Sequence, residues 1–290
     1  MLKKITIIDG HSLAYRLIHS AASSKDRDKS VDLFDFWRYL MFYNLFTIVE
    51  KFNSDRFIIV FDSPNSWRYG IYENYKQHRK ALKEKYIFDY QEFKTKLNDL
   101  VETLRLNFTK FYILKVDKAE GDDIIAVISR HHKDCDITII SSDTDFIQLI
   151  NENVKLYDPR AKKYIKSISP KNDLNIKILK GDEGDNIPPI KRGIGVVHAT
   201  KIITSGLDEY IANLSACSKL EMLENYNRNK ILISFDFIPK ELQWAILNQY
   251  NEYNISNVNG KQLFNVFVKN KLVKLIPTIN SKINRMNLLD

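Results

Sequence analysis

Four short apolar runs, rich in β-branched residues, recur in the first half of this chain, and each leads into aspartate or glutamate. They are Ile5–Ile8, Arg56–Phe61, Phe111–Val116 and Asp136–Ile140. A continuous apolar run of this length reads as a strand buried on both faces, and hence as part of a parallel sheet. Between the runs, Asp32–Phe52, Asp89–Leu106 and Gly121–His131 carry apolar residues at three-to-four spacing, which predicts helices. Strand alternating with helix is the doubly wound α/β pattern, a central mostly parallel sheet flanked by helices. A short helix at Thr144–Ile150 and edge strands at Val154–Tyr157 and Tyr164–Lys166 are expected next. Beyond about Pro170 the pattern is helical only. Residues 1–180 are therefore expected to form the α/β core and 181–290 a helical C-terminal unit, joined by the turn-rich stretch Gly181 to Gly195.

The acids follow the strands. Asp9 ends the first run and Asp62 the second; Glu120, Asp122 and Asp123 follow the third, and Asp143 and Asp145 the fourth. In an open parallel sheet the carboxyl ends of the strands share one edge, where ligand sites form, so these acids are expected to converge. Crowded carboxylates repel unless protons or cations neutralise them. Hard oxygen donors favour Mg²⁺, with Mn²⁺ as a substitute, over zinc. Two such ions about 4 Å apart can activate water and stabilise the leaving oxygen of a phosphodiester. An aspartate after a strand is also a common helix N-cap, and capping alone explains any one of Asp9, Asp122 or Asp143. It explains four acid-bearing strand ends poorly. A further group, Asp182 and Asp185 in Gly181-Asp182-Glu183-Gly184-Asp185-Asn186, sits in a loop whose glycines allow a tight turn; it reads as a surface turn or as part of a second metal site.

The stretch Trp67–Tyr86 sets six Lys/Arg against two Glu, with five Trp/Tyr interleaved. Cations with aromatic faces suit a single nucleic-acid strand, while a solvated helical hairpin is the plainer alternative. Arg68, Lys76, Arg79 and Lys80 are the candidate phosphate-binding cations here. Gly193-Ile194-Gly195 reads as a hairpin that exposes backbone N–H groups at a helix start, a phosphate cradle, or as a packing corner. The formal charge of +8 favours a polyanionic partner without requiring one. Two cysteines in no metal-binding spacing argue against zinc and for a reducing compartment. His11, His19, His131, His132 and His198 show no metal spacing either. No apolar segment reaches the roughly 18 residues that span a bilayer, so a cytoplasmic protein without membrane contact is expected.

Taken together, Glu120-Gly121-Asp122-Asp123, Ser142-Asp143-Thr144-Asp145-Phe146 and Leu179 to Asn186 resemble the 5′ nuclease (flap endonuclease) family. Phe235-Asp236-Phe237-Ile238-Pro239 and Phe267-Val268-Lys269 resemble its T-even phage ribonuclease H branch in particular. The similarity runs from about Ile5 to Ile283. It implies a PIN-like 5′ nuclease fold with a helical arch at about 64–86 and a helix-hairpin-helix-type motif in the C-terminal part. It also implies a monomeric Mg²⁺-dependent 5′–3′ exonuclease and flap endonuclease that removes RNA primers and adjacent DNA during lagging-strand replication, in the host cytoplasm if phage-encoded. Its substrates would be DNA and RNA–DNA hybrid with 5′ ends or flaps. A single-stranded-DNA-binding protein or sliding clamp would be its replication partners. By matching position, Asp9, Asp62, Glu120 and Asp122 would hold the catalytic ion, with Asp123 behind them. Asp143, Asp145, Asp182 and Asp185 would serve the second ion. Arg68 and Lys76 would contact the scissile phosphate and leaving group. Gly193 and Gly195 would hold duplex phosphates, in the family often with a monovalent cation. Val197-His198 stand where the family usually has Lys-Thr, and one extra residue precedes the Gly-Ile-Gly.

Three other readings compete. A PIN-type ribonuclease needs about four carboxylates and neither arch nor hairpin. A phosphatase with Asp143 as nucleophile leaves the other strand-end acids unexplained. A catalytically silent nucleic-acid-binding module has no need of intact acids.

Overall fold

Asp9 ends β1 (Lys4–Asp9) and caps the next element, α1 (Gly10–Ser23), through a hydrogen bond accepted from the Ser12 N–H. This computed structural model describes residues 3–24, 30–108, 111–212, 215–253, 265 and 267–269. There follow α2 (Leu33–Phe52), β2 (Arg56–Val60), α3 (Arg79–Lys83), α4 (Tyr90–Asn107), β3 (Phe111–Leu114), α5 (Gly121–His131) and β4 (Asp136–Ile140). Then come β5 (Val154–Asp158), β6 (Lys163–Ile165), α6 (Pro170–Lys180), α7 (Val196–Ser205), α8 (Leu207–Ala212), α9 (Ala216–Ile233) and α10 (Lys240–Asn251). Capping acids account for several helix starts. Asp32 accepts from the N–H groups of Phe34 and Asp35, and Asp89 from that of Glu92, each such cap being worth about 1 kcal/mol.

The strands order as β3-β2-β1-β4-β5-β6, with every neighbouring pair parallel except β5 and β6. Both faces are covered, which is why the strand sequences do not alternate in polarity. Ile8, Ile59, Ile113 and Ile140 belong to a core shared with α1, α2 and α4. Ile7, Ile58, Val60, Ile139 and Leu156 belong to a core shared with α5 and α10. Each such side chain contributes roughly 1.5–3 kcal/mol by leaving water. Strand order reverses direction between β1 and β4, and a crevice opens there at the carboxyl ends of the strands, the usual ligand position in such sheets.

Several elements differ from expectation. The segment after β4 is a 3-10 helix over Thr144–Leu149 rather than an α-helix. The arch region holds a 3-10 turn at Trp67–Gly70 and a five-residue α3, with turns between them. Pro64 and Gly70 disfavour a continuous helix here, and Lys76 takes φ of 52°, outside the helical range. Helices α6, α7, α8 and α9 build a separate small core around Leu179, Ile190, Ile194, Ala199, Ile202, Ile211 and Met222. The chain then returns: Phe235, Ile238, Leu242, Ile246 and Tyr250 pack in the same core as α5. Among the described residues, no helix is long and apolar enough to cross a membrane. The stretch from 270 to the C-terminus, into which the family similarity extends, lies outside the described residues.

Candidate metal centre and nucleic-acid interface

The sheet brings its strand-end acids to one rim. Asp9 is 7% exposed, and its second oxygen accepts from Ser141 Oγ at 2.9 Å. Burial, with Asp62 and Asp143 close by, pushes its carboxyl up to about 7. Asp62 Oδ1 accepts from the Gly121 N–H at 2.7 Å. A Cβ at position 121 would lie 3.0 Å from that same oxygen, so glycine lets the start of α5 close onto Asp62. Asp122 caps nothing; burial, then Asp143 and Asp9, raise its carboxyl well above the usual range. Asp143 caps the 3-10 helix through the Asp145 N–H. Capping and convergence therefore coexist: Asp9 and Asp143 do both, while Asp122 has only the second role available.

Glu120 faces the arch. Its Oε2 accepts from Arg68 Nη1 at 3.1 Å and from the Tyr75 hydroxyl at 2.8 Å, and its Oε1 lies 2.6 Å from Lys76 Nζ. The same tyrosine stands 2.9 Å from Asp185 Oδ2, one hydrogen being shared between two carboxylates. Lys76 Nζ is 3.7 Å from Asp185, and Arg79 Nη2 is 2.6 Å from it. These cations hold Glu120 below the usual carboxylate range despite its burial. Lys76 and Arg79, expected as phosphate-binding cations, are here paired with Glu120 and Asp185; Lys80 lies in α3, with its side chain outside the described set.

Arg68 is placed differently from the expected phosphate contact. It is 2% exposed and donates to both oxygens of the fully buried Asp123, at 3.0 and 2.8 Å, and to the Leu232 carbonyl at 2.9 Å. Asp123 also accepts from Trp67 Nε1 at 3.1 Å and from the Glu120 N–H at 3.0 Å. With its donors committed to buried acceptors, Arg68 fastens the first turn of the arch to α5; turning to a phosphate would strand Asp123. Of the aromatics in this stretch, Tyr75 turns inward at 2% exposed, whereas Tyr69 is 46% exposed.

The second acid group gathers at α6. Gly181 has φ of 72°, and a Cβ there would fall 2.3 Å from the Ile187 carbonyl, so only glycine fits. Beyond this turn Asp182 caps a short 3-10 turn through the Gly184 N–H and pairs in a β-bridge with Ile187. Lys177, which sequence patterning did not single out, reaches across to Asp145 and lies 2.8 Å from Asp182. Burial, then Asp143, raise the Asp145 carboxyl to about 6 in spite of this lysine. Lys177 could be found only from the fold, because Asp145 and Asp182 belong to different elements. His11 was also passed over; its Nε2 lies 3.6 Å from Asp62.

The chemistry of these donors fits hard divalent ions. They are carboxylate oxygens with no thiolate among them, and at Asp9, Asp122 and Asp145 they are burdened by burial and mutual repulsion that a cation would relieve. Among the described residues, no three acidic, histidine or cysteine side chains already close around one point. Lys76 and Lys177 lie in the gaps instead. Asp9, Asp62, Asp122 and Asp143 stand on the sheet side of the rim, and Asp145, Asp182 and Asp185 on the α6 side, with Glu120 linked to Asp185 by Tyr75. The hairpin leads into α7. Gly193 takes φ of 90°, Gly195 caps α7 with no side-chain partner, and both face open space. Val197 beside them is 72% exposed.

Known proteins resemble this chain in sequence and in fold. Residues 4–176 match the family model described as 5′–3′ exonuclease, N-terminal resolvase-like domain, and residues 168–282 match that described as T4 RNase H, C terminal. The ribonuclease H of Enterobacteria phage T4 is 34% identical over 247 residues, covering 78% of each chain. The 5′–3′ exonuclease of Mycoplasmopsis pulmonis is 27% identical, covering 70% of this chain and 67% of that protein. DNA polymerase I of Chloroflexus aurantiacus is 27% identical over 74% of this chain, which spans only 24% of that longer protein. Among solved structures, the phage T5 D15 protein co-crystallised with metal ions superposes with a TM-score of 0.67 at 20% identity, covering 87% of this chain and 98% of the other. The T5 D15 flap endonuclease in a complex with DNA and metal ions gives 0.67 over 86% and 100%. At such identity these two establish the fold. The family matches go further, and the chain belongs to the 5′–3′ exonuclease family, in the branch that includes the T4 ribonuclease H.

Proposed function

We propose that this protein is a Mg²⁺-dependent 5′–3′ exonuclease and flap endonuclease that removes RNA primers and adjacent DNA from 5′ ends during lagging-strand replication. The observation that carries this reading is the meeting of Asp9, Asp62, Asp122 and Asp143 at one rim, close enough to act on one another's protonation. Asp9, Asp62, Glu120 and Asp122 would hold one ion. Asp143, Asp145, Asp182 and Asp185 would hold the second. Bound there, two ions supply charge for activating water and for stabilising the departing 3′ oxygen. The chain's own groups do the rest. Ser141 and the Gly121 N–H fix the orientation of Asp9 and Asp62. Lys76 and Arg79, now paired with Glu120 and Asp185, offer cations to the incoming phosphate once those acids have other partners. The N-terminus of α7 at Gly195 offers N–H groups to duplex phosphates, with the α6–α9 layer acting as the duplex-binding part and the sheet, its helices and the returning α10 as the nuclease core.

The test uses a 5′-labelled flap, a nicked duplex and an RNA–DNA hybrid, each with and without Mg²⁺, for wild type and Asp122→Asn. Cleavage that requires Mg²⁺ and falls by about a thousandfold in the variant supports the reading, a loss in the range of removing a key electrostatic group. Binding without cleavage would leave a silent module, and cleavage of single-stranded RNA alone would leave a PIN-type ribonuclease.

A further inference from the structure

Beside Asp9, at the point where strand order reverses, the crevice is lined by Ser12, Arg16, Ser141, Ser142 and Pro159. Arg16 stands two turns into α1 and is half-buried. Unlike Arg68, it makes no hydrogen bond or ion pair with another described residue. Burial and the nearby Arg160 weaken its hold on its proton, and Asp158 opposes them. Asp158 is already engaged: it accepts from Ser142 Oγ and from the Arg160 N–H at 2.8 Å, and stands 3.7 Å from Arg160 Nε. Arg160, in the β5–β6 turn, is 61% exposed and donates to the Ser142 carbonyl at 3.4 Å. Two guanidinium groups therefore flank one opening and share one carboxylate, Asp158. Guanidinium groups so placed match the oxygens of a phosphate.

We propose that Arg16 and Arg160 form a clamp for a backbone phosphate of the nucleic-acid substrate, beside the metal-binding rim and separate from the arch and the hairpin. This rests on the nuclease reading above and adds a subsite to it. Arg16 lines the crevice together with Asp9, and Asp158 ends β5 beside the β4 end that leads into Asp143, so the clamp adjoins the rim acids and takes a phosphate neighbouring the one at the metal site. The clamp is at the β5 end of the rim, where the chain turns through β6 into α6 and the helices that carry the hairpin. It therefore holds the duplex part of the substrate and not the free flap.

Binding in EDTA, followed by fluorescence anisotropy with a flap substrate, a nicked duplex and a single strand, tests this. Arg16→Gln and Arg160→Gln should each weaken binding of the two duplex-bearing substrates by about threefold to tenfold. Each lost contact should flatten the log–log salt slope by about 0.9. Single-strand binding should change little, and Arg16→Lys should recover part of the loss. In cleavage assays with Mg²⁺ the loss should appear in KM more than in kcat. A folded Arg16→Gln protein, with unchanged melting temperature, that binds duplex with wild-type affinity and slope overturns the clamp. So does a loss confined to kcat, which would make Arg16 a support for Asp9. If wild type neither binds nor cuts duplex-bearing substrates, the nuclease reading fails, and the clamp with it.

Discussion

Asp9 carries three demands at once. It must end a strand, cap α1 through Ser12 and share a rim with Asp62 and Asp143. Burial first, then these neighbours, move its carboxyl from 3.8 to about 7, and burial with Asp143 moves Asp145 to about 6. Both are raised above their unfolded value, so the folded metal-free protein binds protons that the unfolded chain releases. The resulting stabilisation is complete below about pH 4 and is lost as pH rises through 6 to 7. His132 works the other way, since burial beside His131 and Arg56 holds it down to about 4. It therefore favours the fold as pH rises through its ordinary range, and the quantity to read is the difference between paired conditions. Divalent ions compete with protons for the same oxygens. Melting curves in EDTA and in Mg²⁺ should thus diverge more at about pH 8 than at about pH 5. An equal Mg²⁺ increment at both would separate these acids from the ion.

At the scale of elements, the arch is the instructive case. The strands were legible because buried parallel strands leave an unmistakable apolar run, and the acids were legible because sheet topology sends every strand end to one edge. Thr144–Leu149 was legible as helical but not as 3-10, a distinction that hydrophobic spacing does not encode. The role of Arg68 was not legible. In sequence it stands in a cationic stretch like Arg79, yet its partner Asp123 is 55 residues away, and only the packed fold shows that the pair is buried. The same holds for Lys177, whose two acids lie on separate elements. The pairing makes a mechanical prediction. Arg68→Ala leaves Asp123 buried and uncompensated, a change that typically costs about 3–5 kcal/mol. Lys76→Ala leaves Glu120 paired with Arg68 and Asp185 with Arg79, so it should cost much less stability while depressing cleavage more strongly. Denaturant unfolding set beside single-turnover cleavage separates the two. If Arg68→Ala unfolds like wild type and is inactive, Arg68 belongs with the substrate after all.

Across the whole molecule, the sheet rim supplies the acids, and the α6–α9 layer is the proposed place for duplex. The excess of eight positive charges is consistent with phosphate contacts at several points; Lys191 and Arg192, exposed just before Gly193, supply two at the hairpin, but the first turn of α7 carries no lysine or arginine. Val196 and Val197 are both exposed in the first turn of α7, and Gly195 caps it with backbone alone. The grip there comes from oriented N–H groups and the helix dipole, whose interaction with an anion is typically about 0.3–1 kcal/mol when exposed to solvent. A lysine at this position adds a full charge where the dipole disfavours one, a penalty of the same small size. It also adds a phosphate contact. Val197→Lys should therefore lower melting temperature slightly, tighten duplex binding in EDTA, and steepen its log–log salt dependence by about 0.9. Cleavage at saturating substrate should stay near wild type, since Val197 is neither one of the acids nor one of their hydrogen-bond or ion-pair partners. A variant that binds single strands more tightly but duplex no better would show that α7 does not face duplex. The α6–α9 layer would then be a support for Asp182 and Asp185 alone.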